Sequence, residues 1–497
     1  MNAQSESTHL IKVNLPGGIV AAGDLLDILN AAEKAGIDKV SLGNRQQLFL
    51  SVREEQLEDL EHEFAIVDID YEIGTDIYPN IISSYVSEDI FGTSNWLREG
   101  VYKDILDLFE EKPKLKINLV DNNQTFIPFF TGNLNYIASD TSNYWHLHIR
   151  FPKTNIFYIW PTLIYTEDIP ALSLDIEEVI LSNKSHFYDQ EEIDGNLLFL
   201  EISSEKKVTR NPEERLTLPD FQLPYYEGFN SYDNKYWLGI YKRNEEYSVA
   251  FLKDVCAVCL QSRIGQINTT PWKSIIIKGI TSEERKQWNW ILAKHRINVR
   301  HASNELNWQI EDQCSYALKL KNHLVREFDK NDVRTFRLCF AIKINPKTGL
   351  FGSVIIRKRA SADNAESPEI FDILHTRDFN PNSKDFIAYK EEVNIEDLPS
   401  TLVQLCDYFY DIQTSGSMFS PIKWDANEDV NDIEAPVFVH QCKHCQTVYD
   451  REYGDSLNNI KPGTPFKDLP ETYCCQMCDA PKSEFVEVDK KALIEFN

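Results

Sequence analysis

The sequence predicts an α+β protein that divides into several domains. Its 497 residues exceed what a single hydrophobic core usually holds. One order of strand and helix signals occurs twice, with a constant offset of 227 residues between the two copies. Near the C-terminus, two Cys-x-x-Cys pairs follow a polar, acidic stretch and predict a separate small module.

Each copy of the repeat reads as strand, helix, strand and helix. In the first copy, HLIKVNLP precedes a helical pattern over residues 22–35, then the strand pattern VSLGNRQQLFLSV and the amphipathic EEQLEDLEHEF. In the second copy, KYWLGIYK precedes a helix over 249–262, the strand INTTPWKSIIIKG and the helix TSEERKQWNWILAKH. Thr281 or Ser282 is the predicted N-cap of that last helix. The β-α-β-α order predicts two ferredoxin-like half-domains.

A longer α/β stretch follows each copy, and DANEDVNDIEAP reads as an acidic linker without periodicity. The predicted boundaries are 1–84 and 233–303 for the half-domains, 85–232 and 304–424 for the α/β domains, 425–436 for the linker and 437–497 for the cysteine-rich domain.

The composition limits the classes of partner. A net charge of −27, spread along the chain, argues against nucleic-acid binding, which needs basic patches. It is compatible with docking onto a basic redox partner, and equally with solubility alone. The sequence has no apolar run long enough for a membrane span and no signal-peptide pattern, so we expect a cytoplasmic protein without membrane attachment. In that compartment, cysteines are expected as metal ligands or buried thiols rather than disulfides.

Four cysteines near the C-terminus have the spacing of a metal site. Cys442 and Cys445 form one pair, and Cys475 and Cys478 form the other. Four thiolates at the corners of a tetrahedron suit zinc or iron, and the spacing alone does not choose between the two metals.

The residues between and around these pairs resemble rubredoxin almost continuously, over about residues 437–489. The matching segments are CKHCQTVYDREYGD, IKPGTPFKDLP and YCCQMCDAPKSEF. The resemblance implies one iron, cycling between Fe(III) and Fe(II), on the four cysteines. Gln446 and Asp479 stand where the family usually has glycine, in turns that favour positive φ. Cys474, next to a ligand in sequence, is interpreted as a non-ligand thiol because adjacent side chains of an extended segment point apart.

The repeated region resembles the nitrite and sulfite reductase family, with GNRQQ and RIGQINTTPWKSIIIKGI as the most similar segments. The resemblance places Arg45, Lys114 and Lys116 at that family's anion site. Pro79 stands where the family has a further arginine, so this candidate site is incomplete. Three converging cations would suit nitrite or sulfite. The alternative is that these residues are surface charges at strand ends.

The same family holds a four-iron cluster and siroheme, and the resemblance places its four cluster cysteines at Trp308, Cys314, Cys339 and Lys343. Only two of these residues are cysteines, so we do not expect a four-iron cluster, and siroheme stays an alternative that is less expected than the single iron. Cys314 and Cys339 are then predicted as core residues.

A third Cys-x-x-Cys pair, Cys256 and Cys259, lies inside a predicted helix with apolar neighbours. The spacing of three puts both thiols on one helical face. Core packing is the favoured interpretation, and a metal role would require partners that the neighbouring sequence does not provide.

These patterns predict an electron-transfer protein that carries one rubredoxin iron and serves a redox partner, such as a nitrite, nitrate or sulfite reductase system. One alternative is a siroheme-type nitrite/sulfite reductase-like enzyme fed by its own rubredoxin. The other is a scaffold with structural zinc. Whether the chain is itself an enzyme stays open at this point.

Overall fold

A computed structural model describes residues 8–92, 96–202, 208–213, 215–345, 349–359, 369–383, 385–415, 438–455, 458 and 460–489. The chain divides into two compact units, Met1–Gly416 and Ser417–Asn497. The predicted acidic linker 425–436 lies outside the described residues. Among the described residues, no helix is both long enough and apolar enough to cross a membrane.

The larger unit is a mixed α+β structure, as the sequence predicts. Its strands are β1 Thr8–Val13, β2 Ile19–Ala21, β3 Lys39–Leu42, β4 Leu48–Arg53, β5 Glu72–Ile73, β6 Ile82–Ser83, β7 Ile117–Val120, β8 Leu134–Ala138, β9 Tyr144–Arg150, β10 Phe157–Ile159, β11 Leu163–Tyr165, β12 Thr209–Arg210, β13 Gly228–Tyr232, β14 Lys235–Ile240, β15 Glu246–Ser248, β16 Gln266–Thr269, β17 Ile275–Ile280, β18 Trp308–Ile310, β19 Phe340–Lys343, β20 Val354–Lys358, β21 Ile370–Thr376 and β22 Phe386–Asn394. Its helices are α1 Ala22–Lys34, α2 Glu54–Ile66, α3 Glu99–Asp107, α4 Ile169–Ser182, α5 Lys184–Phe187, α6 Gly195–Ile202, α7 Val249–Gln261, α8 Arg285–Lys294, α9 Ser303–Leu306, α10 Ser315–Lys330 and α11 Leu398–Ser415.

The two ferredoxin-like copies are confirmed, and most of their elements match in position and length. Strands β1, β3 and β4 and helix α1 recur 227 residues later as β14, β16, β17 and α7, each with the same length as its counterpart. The helical spacing of apolar residues buries equivalent positions in both copies. Leu29 of α1 and its counterpart Cys256 of α7 are both fully buried.

The two copies exchange a short strand. β2 of the first copy pairs with β16 of the second, so that Ile19 lies opposite Asn268. Its counterpart β15 pairs with β3 of the first copy, so that Glu246 lies opposite Ser41. The two sheets therefore have the orders β15-β3-β4-β1-β5 and β13-β14-β17-β16-β2. Each half-domain borrows an edge strand from the other, and the two share one hydrophobic core.

The two α/β regions contain sheets of similar design. In the first, β6, β7 and β8 run parallel and β9 then runs antiparallel to β8. In the second, β18, β19 and β20 run parallel and β21 is antiparallel to β20. This arrangement matches the prediction of an α/β domain after each copy, while the exact boundaries between domains stay a prediction.

Helix α8 begins later than the sequence predicts. Its first residue is Arg285 and its N-cap is Glu284, so neither Thr281 nor Ser282 caps it. The backbone N–H of Thr281 instead donates a 2.8 Å hydrogen bond to the Glu284 carboxylate. That carboxylate stabilises a turn over the residues that the sequence assigns to the first helical turn.

The smaller unit contains a three-stranded antiparallel sheet in the order β24-β23-β25, where β23 is Phe438–Cys442, β24 is Val448–Tyr449 and β25 is Phe485–Asp489. Four aromatic rings pack together beside it, two from the strands β24 and β25 and two from the chain between those strands. Tyr449, Phe466, Tyr473 and Phe485 form a cluster with centroid separations from 5.3 to 6.2 Å. So small a core leaves the two cysteine loops to be organised by local hydrogen bonds and by a bound metal.

Candidate functional site

The four C-terminal cysteines converge on one point. Their sulfur atoms all lie within 4.8 Å of one another. Among the described residues, no other group of three or more potential metal ligands comes this close together. The Cys445 and Cys475 sulfurs are 3.3 Å apart, and those of Cys442 and Cys478 are 3.6 Å apart. A metal about 2.3 Å from four tetrahedral sulfurs would hold them about 3.8 Å apart, so the donor set fits a tetrathiolate metal ion closely.

Two similar turns present these sulfurs. The backbone N–H of Gln446 donates to the carbonyl of Cys442 at 2.9 Å, and the N–H of Asp479 donates to that of Cys475 at 3.0 Å. Gln446 and Asp479 have φ values of 62° and 57°. Both turns therefore adopt the left-handed conformation that the sequence predicts, without glycine. The cost of that conformation for a non-glycine residue is about 1–2 kcal/mol, which the surrounding hydrogen bonds offset.

The two turns differ in the group that contacts the outer sulfur, which is the sulfur of the second, exposed cysteine of each turn. Cys445 and Cys478 are exposed, whereas Cys442 and Cys475 are buried. The hydroxyl of Thr447 lies 3.1 Å from the Cys445 sulfur. Hydrogen bonds from this hydroxyl, and then from the Thr447 backbone N–H, lower the pKa of Cys445 to about 6. These bonds favour the metal-binding thiolate form at Cys445. At Cys478 the backbone N–H of Ala480 also lowers the pKa, but hydrogen bonds shared with the other sulfurs, together with burial, outweigh it and raise that pKa to about 12.

Cys474 points away from this group. Its half-buried thiol lies 3.5 Å from the carbonyl oxygen of Thr472, and it pairs through its backbone with Pro481. Its sulfur does not belong to the convergent set. The geometry therefore agrees with the interpretation of Cys474 as a non-ligand thiol.

The larger unit contains a cavity of about 630 Å³ that is lined by all three predicted anion-site residues, Arg45, Lys114 and Lys116. Pro79, which stands at the position of the expected additional arginine, lines it as well. The structure thus brings Arg45 together with two lysines that lie 69 and 71 positions later in the sequence. Of the three cations, Lys114 is exposed, Lys116 is half-buried and Arg45 is buried, so the surface-charge alternative applies only to Lys114.

The guanidinium of Arg45 is largely committed to the protein itself. It donates to the carbonyl of Asn80 at 2.7 and 3.1 Å, to the carbonyl of Ile117 at 2.9 Å and to the side-chain oxygen of Asn118 at 3.2 Å. These bonds use four of its five N–H groups. Burial lowers the pKa of Arg45 to about 10. Arg45 therefore links its own loop to the segment around Asn80 and to strand β7 at the cavity wall, and it leaves one N–H of Nη1 for a ligand.

Two further cations, Arg150 and Lys153, line the same cavity. Among the described residues, no carboxylate lies within ion-pair distance of Lys116, Arg150 or Lys153. Burial lowers the pKa of both Lys116 and Arg150, and the charge of Arg45 adds to the lowering at Lys116. These cations therefore crowd together without carboxylate partners in the part of the chain that the structure describes, which favours an anion in the cavity.

Three carboxylates also line the cavity, but each has partners of its own. Asp312 accepts the backbone N–H of Asn44 at 2.9 Å. Asp76 pairs with Lys12 at 2.6 Å. Glu311 accepts two backbone N–H groups that follow β19, at 2.8 and 2.7 Å. Because these carboxylates are engaged with other partners, they neutralise the positive charge of the cavity cations only partly.

Sequence reasoning missed Arg150 and Lys153. Arg150 ends β9, and its guanidinium donates to the carbonyl of Thr131 at 3.2 Å. A basic residue at the carboxyl end of a strand was the available signal, in YWHLHIRFPK. Arg150 thus brings a guanidinium to the cavity from the end of β9.

The four positions matched to cluster cysteines do not form a ligand set. Trp308 is buried and stacks on Phe340 at 4.6 Å. Cys339 is fully buried in a different cluster of side chains, where burial raises its pKa to about 12. Cys314 is half-buried at the N-terminus of α10. Lys343 lines a neighbouring cavity of about 410 Å³.

Cys256 and Cys259 are fully buried in the core that α1 and α7 share. Burial raises the pKa of Cys256 to about 12 and raises that of Cys259 as well. Among the described residues, no third potential ligand converges on this pair. Both residues act as small apolar side chains.

Comparison with known proteins agrees with both halves of this description. The Rubredoxin family matches residues 439–485. The probable rubredoxin HupI of Bradyrhizobium diazoefficiens is 45% identical over 62 residues, which are 12% of this chain and 84% of that protein. The probable rubredoxin HupJ of Rhodobacter capsulatus is 40% identical over 75 residues, which are 14% of this chain and only 26% of that protein.

The larger unit resembles a solved structure, the NirA protein of Mycobacterium tuberculosis. The superposition has a TM-score of 0.61 at 12% sequence identity and covers 81% of both chains. At this identity the likeness establishes the fold alone. The chain belongs to the rubredoxin family through its C-terminal domain, and its larger unit has the nitrite/sulfite reductase-type fold.

Proposed function

We propose that this chain is an electron-transfer protein that holds one iron on Cys442, Cys445, Cys475 and Cys478. The observation that carries the proposal is the convergence of the four sulfurs within 4.8 Å inside a rubredoxin domain. When bound there, iron exchanges a single electron as it cycles between Fe(III) and Fe(II).

The two turns give the site the properties that this role needs. The matched φ values of Gln446 and Asp479 hold the four sulfurs in one arrangement, which limits the rearrangement that accompanies a change of charge. The exposed sulfurs of Cys445 and Cys478 leave one side of the site open to a partner, while Cys442 and Cys475 are shielded. Electrons would therefore pass through the exposed pair.

The proposed partner is a redox protein of nitrite, nitrate or sulfite assimilation. The support for this assignment is the nitrite/sulfite reductase-type fold of the larger unit and its cation-lined cavity. In this proposal the rubredoxin domain delivers or receives single electrons for such a system.

Anaerobic purification of the full chain tests the proposal. We expect one iron per chain, a red colour from thiolate-to-iron charge transfer, and bleaching on reduction. Stoichiometric zinc with no reducible chromophore would instead show a structural metal site and overturn the electron-transfer assignment.

A second candidate function is favoured by the cavity. The larger unit would be an enzyme that binds siroheme or a related tetrapyrrole and reduces a small anion with electrons from its own rubredoxin. Lys116 and Arg150 carry this candidate, because both are half-buried and line the cavity without carboxylate partners among the described residues. Their charges would stabilise an anion and the negative charge that develops during its reduction.

Pigment analysis separates the two functions. The enzyme predicts tetrapyrrole absorption bands and an extractable tetrapyrrole in addition to the iron of the rubredoxin domain. A four-iron cluster would further raise the iron content and release acid-labile sulfide. A preparation with one iron, no tetrapyrrole and no sulfide would eliminate the enzyme and leave the electron carrier.

A further inference from the structure

The two cysteine turns are related by a constant offset of 33 residues, which places Thr447 and Ala480 at equivalent positions. Cys442 and Cys475 donate their backbone N–H groups to the carbonyls of Thr447 and Ala480, at 2.9 and 2.8 Å. The backbone N–H of each of these two residues also contacts the outer sulfur of its own turn. The backbones of the two turns are thus matched.

The side chains are not matched. The Thr447 hydroxyl lies 3.1 Å from the sulfur of Cys445, within hydrogen-bond distance. Ala480 has no polar side-chain atom to offer Cys478. A metal-bound cysteine is a thiolate and carries no proton, so in the loaded site the hydroxyl must be the donor. Cys445 is also one of the two exposed cysteines of the set.

We propose that Thr447 is a positioning and tuning residue, whose hydroxyl raises the reduction potential of the iron site by hydrogen-bonding to the sulfur of Cys445. This inference rests on the electron-transfer function proposed above, and it specifies the side chain that sets the driving force for exchange with the partner.

The physical reason lies in the charge of the site. With iron bound, one electron from the redox partner would enter without a proton, and Fe(III) with four thiolates, at net charge −1, would become Fe(II) with four thiolates, at net charge −2. A hydrogen bond donated to sulfur stabilises the more negative state to a greater extent. The hydroxyl therefore favours reduction, and its removal makes the iron a stronger reductant.

Thr447→Val removes the hydroxyl while nearly conserving the shape of the side chain. We expect the midpoint potential of the full chain to shift to a lower value, with a roughly three- to tenfold smaller equilibrium constant for reduction against a one-electron dye of known potential. Iron content should stay at one per chain. Thr447→Ser retains a hydroxyl and should keep a potential close to that of the natural protein.

Ala480→Ser is the reciprocal variant, because it introduces a hydroxyl at the equivalent position beside Cys478. We expect its potential to rise. An iron-loaded Thr447→Val protein with an unchanged potential would overturn the inference, and so would a Thr447→Ser protein with the same decrease as Thr447→Val. Failure of the proposed function looks different, since a zinc site would show no Fe(III)/Fe(II) couple in any variant.

Discussion

The sulfur atoms of Cys445 and Cys475 lie 3.3 Å apart, although the two residues are 30 positions apart in sequence. Neither turn by itself places more than two sulfurs. The β23–β25 sheet and the aromatic cluster beside it bring the two turns together, and a metal would then bind all four thiolates at once. The domain and its metal site therefore depend on each other.

Cys475→Ser should abolish the red, reducible species and lower the iron content well below one per chain, because three thiolates and a hydroxyl hold iron far less tightly. The matched control is Cys474→Ser, which changes the neighbouring cysteine outside the convergent set. Absorption spectra and metal analysis check both variants. Equal loss of iron from the two proteins would contradict the ligand assignment.

The helical pair Cys256 and Cys259 should contribute only to stability. The double variant Cys256→Ala/Cys259→Ala is expected to keep one iron per chain and to lose about 1–3 kcal/mol of unfolding free energy, because each change removes a buried sulfur. Urea denaturation measures the loss. A decrease in iron content, with the C-terminal cysteines intact, would show that the buried pair binds metal.

Lys116→Ala should weaken the binding of nitrite or sulfite to the larger unit by roughly tenfold or more, because a charge-assisted hydrogen bond contributes about 1.5–3 kcal/mol. The control is Lys112→Ala, because Lys112 lies in the same segment but is exposed and pairs with Asp70 at 2.8 Å. Calorimetric titration at constant ionic strength compares the variants. Equal affinity in the two would contradict an anion site in the cavity.

The unfolding free energy of the larger unit should decrease as the pH rises from 5 to 7.5, because of the titration of Glu88. Burial raises the pKa of Glu88 from 4.5 to about 7. A raised pKa means that the folded state holds this proton more tightly than the unfolded chain does. The protonated Glu88 side chain therefore contributes its full stabilisation below about pH 4.5, and this stabilisation is lost as the pH rises through about 7.

Urea unfolding at pH 5 and at pH 7.5 measures this effect. The unfolding free energy of the natural protein should fall more between the two values than that of Glu88→Gln, whose amide does not titrate. Identical decreases in the two proteins would show that Glu88 titrates normally in the folded state.

Much of the fold could be predicted from the sequence because its signals are local. The apolar spacing that buries Leu29 recurs at Cys256, and the metal-type spacing of Cys442 and Cys445 recurs at Cys475 and Cys478. A helix face and a metal-binding turn are both determined by residues within a few positions of each other, so both can be recognised in a single sequence.

The missed features depend on distant residues. β2 and β15 are only three residues long, too short for a periodic signal, and each finds its partner in the other copy. Arg150 reaches the cavity because of how β9 is placed in its sheet, which its local sequence does not encode. Helix α8 begins late because the Glu284 carboxylate captures the N–H of Thr281.

A reductive titration of the anaerobically purified full chain tests the central claim most directly. The account predicts that each chain accepts one electron, that the visible charge-transfer bands bleach completely with that electron, and that reoxidation restores them. A chain that accepts no electron, or that accepts more than one, would contradict the claim that the C-terminal iron is its redox centre.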